Sequence, residues 1–117
     1  MSRYAHLPIY NTAFSLLKEL YIRVPKLNKQ YKYTLGADLV SLNMECIKII
    51  ITANNLPTTQ RKEILTDLIL KIEEIIILLR ITEELKLFSS DRQYLVLMEK
   101  ITNLAHQAEG WRIACGK

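Results

Sequence analysis

Apolar residues recur at intervals of three and four positions along four stretches of the chain. This spacing places side chains on one face of an α-helix. The first stretch follows Pro8, which suits the first turn of a helix, and Pro25 ends it. The pattern predicts helices over residues 8–23, 34–54, 58–87 and 90–114. Because the connections are short, we expect an all-α fold, an up-down antiparallel four-helix bundle formed by one domain over residues 1–117.

Polar residues at the predicted helix starts supply capping candidates. Thr34 suits the N-cap of the second helix, and Thr58 or Thr59 that of the third. Ser90, followed by a glutamine three positions later, forms a capping box for the fourth. Gly36 is unexpected, because glycine costs about 1 kcal/mol relative to alanine inside a helix. Close approach of a neighbouring helix or a ligand backbone would explain it, as would a later helix start.

The second and third helices are apolar on two sides, whereas the fourth is apolar on one. The stripe of the first helix comprises Ile9, Ala13, Leu16, Leu17, Leu20 and Tyr21, widened by Tyr10 and Phe14. One stripe is enough for an ordinary bundle core, so a second needs its own partner. We therefore predict a homo-oligomer whose interface contains Val40, Met44, Ile47, Ile51, Leu70, Ile77 and Ile81.

Positive charge is concentrated in the first half of the chain. Residues 1–62 contain nine basic and three acidic side chains, whereas residues 63–117 contain seven and nine. The connection after the first helix is the best candidate for contacting phosphates, since positive charge supplies affinity and aromatic faces stack on bases. The candidate nucleic-acid-binding residues are Arg23, Lys26, Lys29, Lys32 and Tyr31, extended by Arg112 and Lys117 if protomer packing allows. The alternative is a solvated loop whose tyrosines pack on the end of the bundle.

No catalytic or metal-binding constellation is present in the sequence. The two histidines lack partners at recognised ligand spacing, and no glycine-rich phosphate loop or nucleophile elbow occurs. We therefore expect a protein that is not an enzyme, with no catalytic residues, metal or cofactor. Trp111 is interpreted as a core side chain rather than a stacking platform.

The sequence also lacks features of membrane insertion and secretion. The most apolar run, residues 75–79, is far shorter than the roughly 20 residues that cross a bilayer. The N-terminus does not have the pattern of a secretion signal. We expect no membrane association, a cytoplasmic location, and reduced thiols at Cys46 and Cys115.

Several segments match a known family in order and spacing. They are Leu-Pro-Ile-Tyr at 7–10, Leu-Leu at 16–17, Tyr-Thr-Leu-Gly at 33–36, Ala-Asn at 53–54, Leu-Leu-Arg at 78–80, Leu-Lys-Leu-Phe-Ser-Ser at 85–90, Gln-Tyr at 93–94 and Gly-Trp at 110–111. Over residues 7–114 the chain resembles the accessory variability determinant (Avd) of diversity-generating retroelements. This family lies within a wider set of four-helix proteins that includes the 23S rRNA intervening-sequence proteins. Asp38 departs from the pattern, because relatives often carry a basic residue there.

The resemblance implies a homopentameric barrel of four-helix protomers with a positively charged surface. Such a protein binds the retroelement reverse transcriptase and RNA, with DNA as a further ligand. It supports mutagenic copying of a template RNA without catalysing a reaction itself. The alternative is an interaction bundle of the ribosomal-insert type that has no reverse transcriptase partner.

Overall fold

Four long helices pack as a bundle in the computed structural model, which describes residues 4–116. They are α1 (Pro8–Arg23), α2 (Ala37–Asn55), α3 (Arg61–Glu84) and α4 (Asp91–Cys115). Each helix packs against two others, in the order α1, α2, α3, α4 and back to α1. The 24 residues of α3 extend about 36 Å, whereas the six residues before α4 span at most about 20 Å. Neighbouring helices joined by such short connections must be antiparallel.

Each helix contributes one stripe of leucine, isoleucine or alanine to a single core. Burial of these side chains is the main driving force for the fold. The largest side chains that are fully removed from solvent are Leu16, Leu20, Leu39, Ile50, Leu65, Leu68, Ile72, Ile75, Leu79, Leu97, Ile101 and Leu104. All lie on the main stripes that the helical spacing predicts.

The observed helix bounds agree with the pattern for α1 and depart from it at the start of α2. The chain is already helical at Lys29–Tyr31, continues through a π-helical turn at Lys32–Gly36, and enters α2 without a break. The prediction that Thr34 is an N-cap is wrong, since its hydroxyl donates to the carbonyl of Gln30 at 2.8 Å, as a residue inside a helix does. The expected loop is therefore mostly helical.

The predicted caps of the last two helices have different outcomes. A 3₁₀ turn at Thr58–Gln60 precedes α3, and neither Thr58 nor Thr59 caps the helix. At α4 the Ser90 hydroxyl accepts from the Gln93 amide at 3.4 Å, as predicted. The Gln93 side chain does not return to Ser90, however, but donates to the Ser89 hydroxyl at 2.6 Å. The capping box is thus only half formed.

Gly36 lies where the start of α2 crosses the turn that follows α1. A Cβ atom on Gly36 would lie 2.7 Å from Cγ1 of Val24 and 3.3 Å from Cδ1 of Leu27. Val24 and Leu27 are both buried. Close approach within the chain therefore accounts for this glycine, and neither a ligand nor a late helix start is needed.

One buried amide links α1 to α2. Asn43 is fully buried, and its Nδ2 donates to the carbonyl of Ala13 at 3.1 Å. The amide oxygen Oδ1 has no partner within the described residues. A polar group held in an apolar core favours the one packing arrangement in which it is bonded.

Several side chains differ in exposure from what the helical pattern predicted. Tyr21 and Phe14 are exposed rather than part of the core stripe. Of the predicted interface residues on α2, Ile47 is only 7% exposed and belongs to the core, whereas Val40, Met44 and Ile51 are half-buried. The predicted interface residues on α3, Leu70, Ile77 and Ile81, are exposed. The second apolar side of α2 is thus largely covered within one chain.

Replacing Gly36 by alanine is expected to destabilise the protein. The added methyl group meets the stiff, buried Val24 side chain, and overpacking of this kind costs about 1–3 kcal/mol. Gly110→Ala is the matched control, because Gly110 lies inside α4 and a methyl group there would meet no other packed atom within 4 Å. The Gly110→Ala variant should be more stable than the unaltered protein by about 0.5–1 kcal/mol, because alanine has the higher helix propensity. Urea unfolding of both variants measures the two effects; equal changes of the same sign would contradict the packing account.

The two thiols should differ strongly in reactivity. Burial raises the pKa of Cys46 to about 12, so that at pH 8 this side chain is almost entirely in the thiol form, which is the less reactive one. Cys115 is half-buried in the last turn of α4. We expect a thiol reagent to modify one cysteine in the folded protein and two in denaturant. Rapid modification of both in the folded state would show that the core opens near Cys46.

Candidate nucleic-acid interface

The basic residues predicted from the sequence lie along a helical connection at one end of the bundle. Arg23 ends α1, Lys26 ends the 3₁₀ turn Val24–Lys26, and Lys29 begins the next helical turn. Lys32 starts the π-helical turn that follows. The buried Leu27 holds the middle of this segment against the bundle. The lysines are therefore presented on a folded segment and not on a free loop.

Arg23 is already engaged within α1. Its Nη2 lies 3.0 Å from Oε2 of Glu19, and Nε donates to the same oxygen at 3.1 Å. Most of the Arg23 side chain is covered by protein. The charge of Arg23 is thus partly neutralised, which leaves the lysines as the main source of positive potential.

The three lysines of the connection form no ion pair within residues 4–116. Lys26 and Lys29 are exposed, and the Lys32 ammonium lies 5.9 Å from the ring centroid of Tyr33. Tyr33 is 70% exposed, whereas Tyr31 is half-buried. Tyr33, which was not among the predicted site residues, is therefore the aromatic side chain best placed to stack on a base.

A recess of about 250 Å³ separates this connection from the one between α3 and α4. Arg23, Lys26 and Asn28 line one side, and Lys86 and Ser89 line the other. Sequence reasoning missed Lys86, because it is far from Lys26 in the chain and only the antiparallel packing brings the two connections to the same end. The recess thus places a third cation beside Arg23 and Lys26.

Carboxylates limit the positive charge around Lys86. Its ammonium lies 2.7 Å from Oε1 of Glu83 and 4.0 Å from Oδ1 of Asp91. The hydrogen bond with Glu83 raises the pKa of Lys86, so the side chain remains an ammonium. Lys86 also has a φ of 54°, a left-handed conformation that favours glycine.

The structure does not bring Arg112 to the lysines within one chain. Arg112 lies in the last turn of α4, at the end of the bundle opposite the α1–α2 connection. Its Nη2 donates to Oε1 of Glu109 at 2.8 Å. Lys117, the other predicted extension of the surface, lies outside the described residues.

The end of the bundle near Arg112 is held by an arginine of α3. Arg61 donates to the carbonyls of Asn54 and Leu56, at the end of α2, at 3.2 and 2.9 Å. The same guanidinium lies 5.8 Å from the ring centroid of Trp111. Trp111 is half-buried and packs against the core, in agreement with its interpretation as a packing residue.

Neither a metal-binding cluster nor a membrane-spanning helix is found among the described residues. Within residues 4–116 no three His, Cys, Asp or Glu side chains are grouped so that they could hold a metal ion. No helix in this part of the chain is long and apolar enough to cross a membrane. Comparison with models of known protein families and with curated proteins gives no match to this chain.

Replacing Lys86 by glycine is expected to raise the midpoint of thermal unfolding relative to Lys86→Ala. Both variants lose the same ion pair with Glu83, so the difference between their unfolding midpoints reports on the backbone conformation alone. Alanine adopts the left-handed conformation of this position at a cost in free energy, whereas glycine adopts it without one. Differential scanning calorimetry measures the two midpoints. Equal midpoints would mean that Lys86 does not hold this conformation in solution.

Proposed function

We propose that the chain is a non-enzymatic accessory protein of a diversity-generating retroelement, of the Avd type. It binds the reverse transcriptase and its template RNA, assembles as a homopentamer, and supports mutagenic reverse transcription. The observation that carries the nucleic-acid part is the helical connection. Its three lysines form no ion pair within the described residues, and the ammonium of Lys32 lies 5.9 Å from the ring centroid of Tyr33. The resemblance in sequence supports the reverse transcriptase as partner and the number five.

In this proposal the lysines contact phosphates and confer no sequence preference. Lys26, Lys29 and Lys32 lie on successive helical turns, so they can follow a strand without reading base edges. Tyr33 adds stacking, which every base can accept. Selection of the template RNA therefore rests on the reverse transcriptase or on the fold of the RNA.

The alternative function is an interaction bundle of the ribosomal-insert type, without a reverse transcriptase. The specific observation in its favour is the pair of carboxylates around Lys86, where Glu83 and Asp91 offset the charge at the same end of the bundle. A gene for a reverse transcriptase and a pair of near-identical repeats beside this gene would favour the retroelement function. Co-purification of that reverse transcriptase with the chain would test it directly.

The triple variant Lys26→Gln, Lys29→Gln, Lys32→Gln should bind RNA less tightly and with weaker salt dependence. Each neutralised phosphate contributes about 0.7 to the slope of log affinity against log salt for a single strand. Loss of all three contacts should therefore reduce the slope by about 2. Fluorescence anisotropy with a labelled RNA between low and physiological salt measures it.

The control for this experiment removes the same total charge elsewhere. Lys48, Lys62 and Arg80 are exposed and lie outside the connection, so their replacement by glutamine should leave most of the slope intact. Equal losses in both triple variants would mean that net charge and not the connection drives binding. If the unaltered protein does not bind RNA at low salt, the nucleic-acid part of the proposal is wrong.

A further inference from the structure

The outer face of α1 carries an apolar stripe with a lysine in its centre. Phe14, Tyr21 and Ile22 are 46%, 59% and 51% exposed. Lys18 lies between Phe14 and Tyr21 on the same face, is exposed, and forms no ion pair within the described residues. The only carboxylate of α1, Glu19, is turned to Arg23. This surface is therefore apolar and basic.

The outer face of α3 carries a similar stripe with a glutamate in its centre. Leu70, Ile77 and Ile81 are 59%, 56% and 41% exposed. Glu74 lies between Leu70 and Ile77, is exposed, and has no basic partner in the part of the chain that the structure describes. In α3 as a whole, acidic residues outnumber basic ones by six to four. This surface is apolar and acidic.

A groove of about 390 Å³ runs beside the α3 stripe. It lies between α2 and α3, and its lining combines the apolar Leu42, Ile77 and Leu78 with the carboxylates of Asp38 and Glu45. Its lining contains no basic residue. Glu45 is paired with Lys71 at 3.8 Å, so the acidic character of the stripe continues onto the neighbouring helix at Asp38.

The two stripes match in spacing as well as in charge. Phe14, Lys18 and Tyr21 are separated by four and three positions, and so are Leu70, Glu74 and Ile77. The three members of each set therefore lie at the same angles around their helices and at the same rise. If the helices run in the same direction, each apolar residue meets an apolar residue and Lys18 meets Glu74.

The topology of the bundle supplies that direction. In an up-down bundle the first and third helices run the same way, and α1 and α3 occupy opposite corners. Rotation of a second copy about an axis parallel to the bundle keeps this direction. Each copy can then present its α1 stripe to one neighbour and its α3 stripe to another, which is a heterologous contact.

We propose that the α1 stripe of one copy docks on the α3 stripe of the next copy, with Lys18 of one opposite Glu74 of the other. This inference rests on the homo-oligomeric part of the proposed function and names the two surfaces that meet. It explains why the third helix is apolar on two sides and why aromatic residues of α1 remain uncovered.

A charge swap tests this pairing. We expect Lys18→Glu and Glu74→Lys each to weaken assembly of the full chain by about tenfold or more, because like charges then oppose each other beside apolar surface. The double variant should recover most of the loss, since it restores one charge of each sign. Sedimentation velocity over a range of protein concentrations measures the association, and circular dichroism verifies folding.

Matched controls reverse charges on α4, outside both stripes. Arg92→Glu and Glu99→Lys alter exposed side chains and should leave assembly unchanged. If the unaltered protein assembles and neither Lys18→Glu nor Glu74→Lys weakens assembly, the pairing is wrong. The proposal of a homo-oligomer would then still stand. Weakening by both single reversals without recovery in the double variant would also overturn the pairing. An unaltered protein that stays at 13.6 kDa would overturn the oligomer itself.

Discussion

The burial of one apolar stripe from each of four helices is the interaction on which the rest of the structure depends. Leu16 and Leu20 of α1 meet leucine and isoleucine side chains of the other three helices in one continuous core. Because the helices are joined by short segments, this core forces antiparallel neighbours. The position of every charged residue on the surface follows from that arrangement, including which connections lie together at an end.

Much of this fold is encoded in local patterns, which is why α1 and the Ser90 cap could be predicted. The helical connection could not, because it depends on Leu27 being buried and on Gly36 allowing close approach to Val24. These contacts form only when the chain has folded, and they produce no repeating pattern in the sequence. The prediction that Phe14 and Tyr21 belong to the core stripe of α1 is wrong, because the sequence does not show where the buried part of a wide apolar stripe ends.

The candidate site was only partly visible in the sequence for the same reason. Lys26, Lys29 and Lys32 are close in the chain, so their clustering could be predicted. Lys86 approaches Lys26 through the topology alone, and the direction of α4 places Arg112 at the opposite end of the bundle. The pairing of Arg23 with Glu19 follows from helical spacing and could have been recognised, which would have ranked Arg23 below the lysines.

The single hydrogen bond from Asn43 to Ala13 fixes the axial position of α1 relative to α2, and with it the positions of the exposed side chains on α1. A slide of α1 along α2 by half a helical turn, about 2.7 Å, would move the carbonyl of Ala13 out of reach of the buried amide. Sliding is therefore opposed by the loss of a buried hydrogen bond, which costs about 1–3 kcal/mol. The buried amide of Asn43 therefore determines where Phe14 and Lys18 lie along the bundle axis, although both side chains are on the surface.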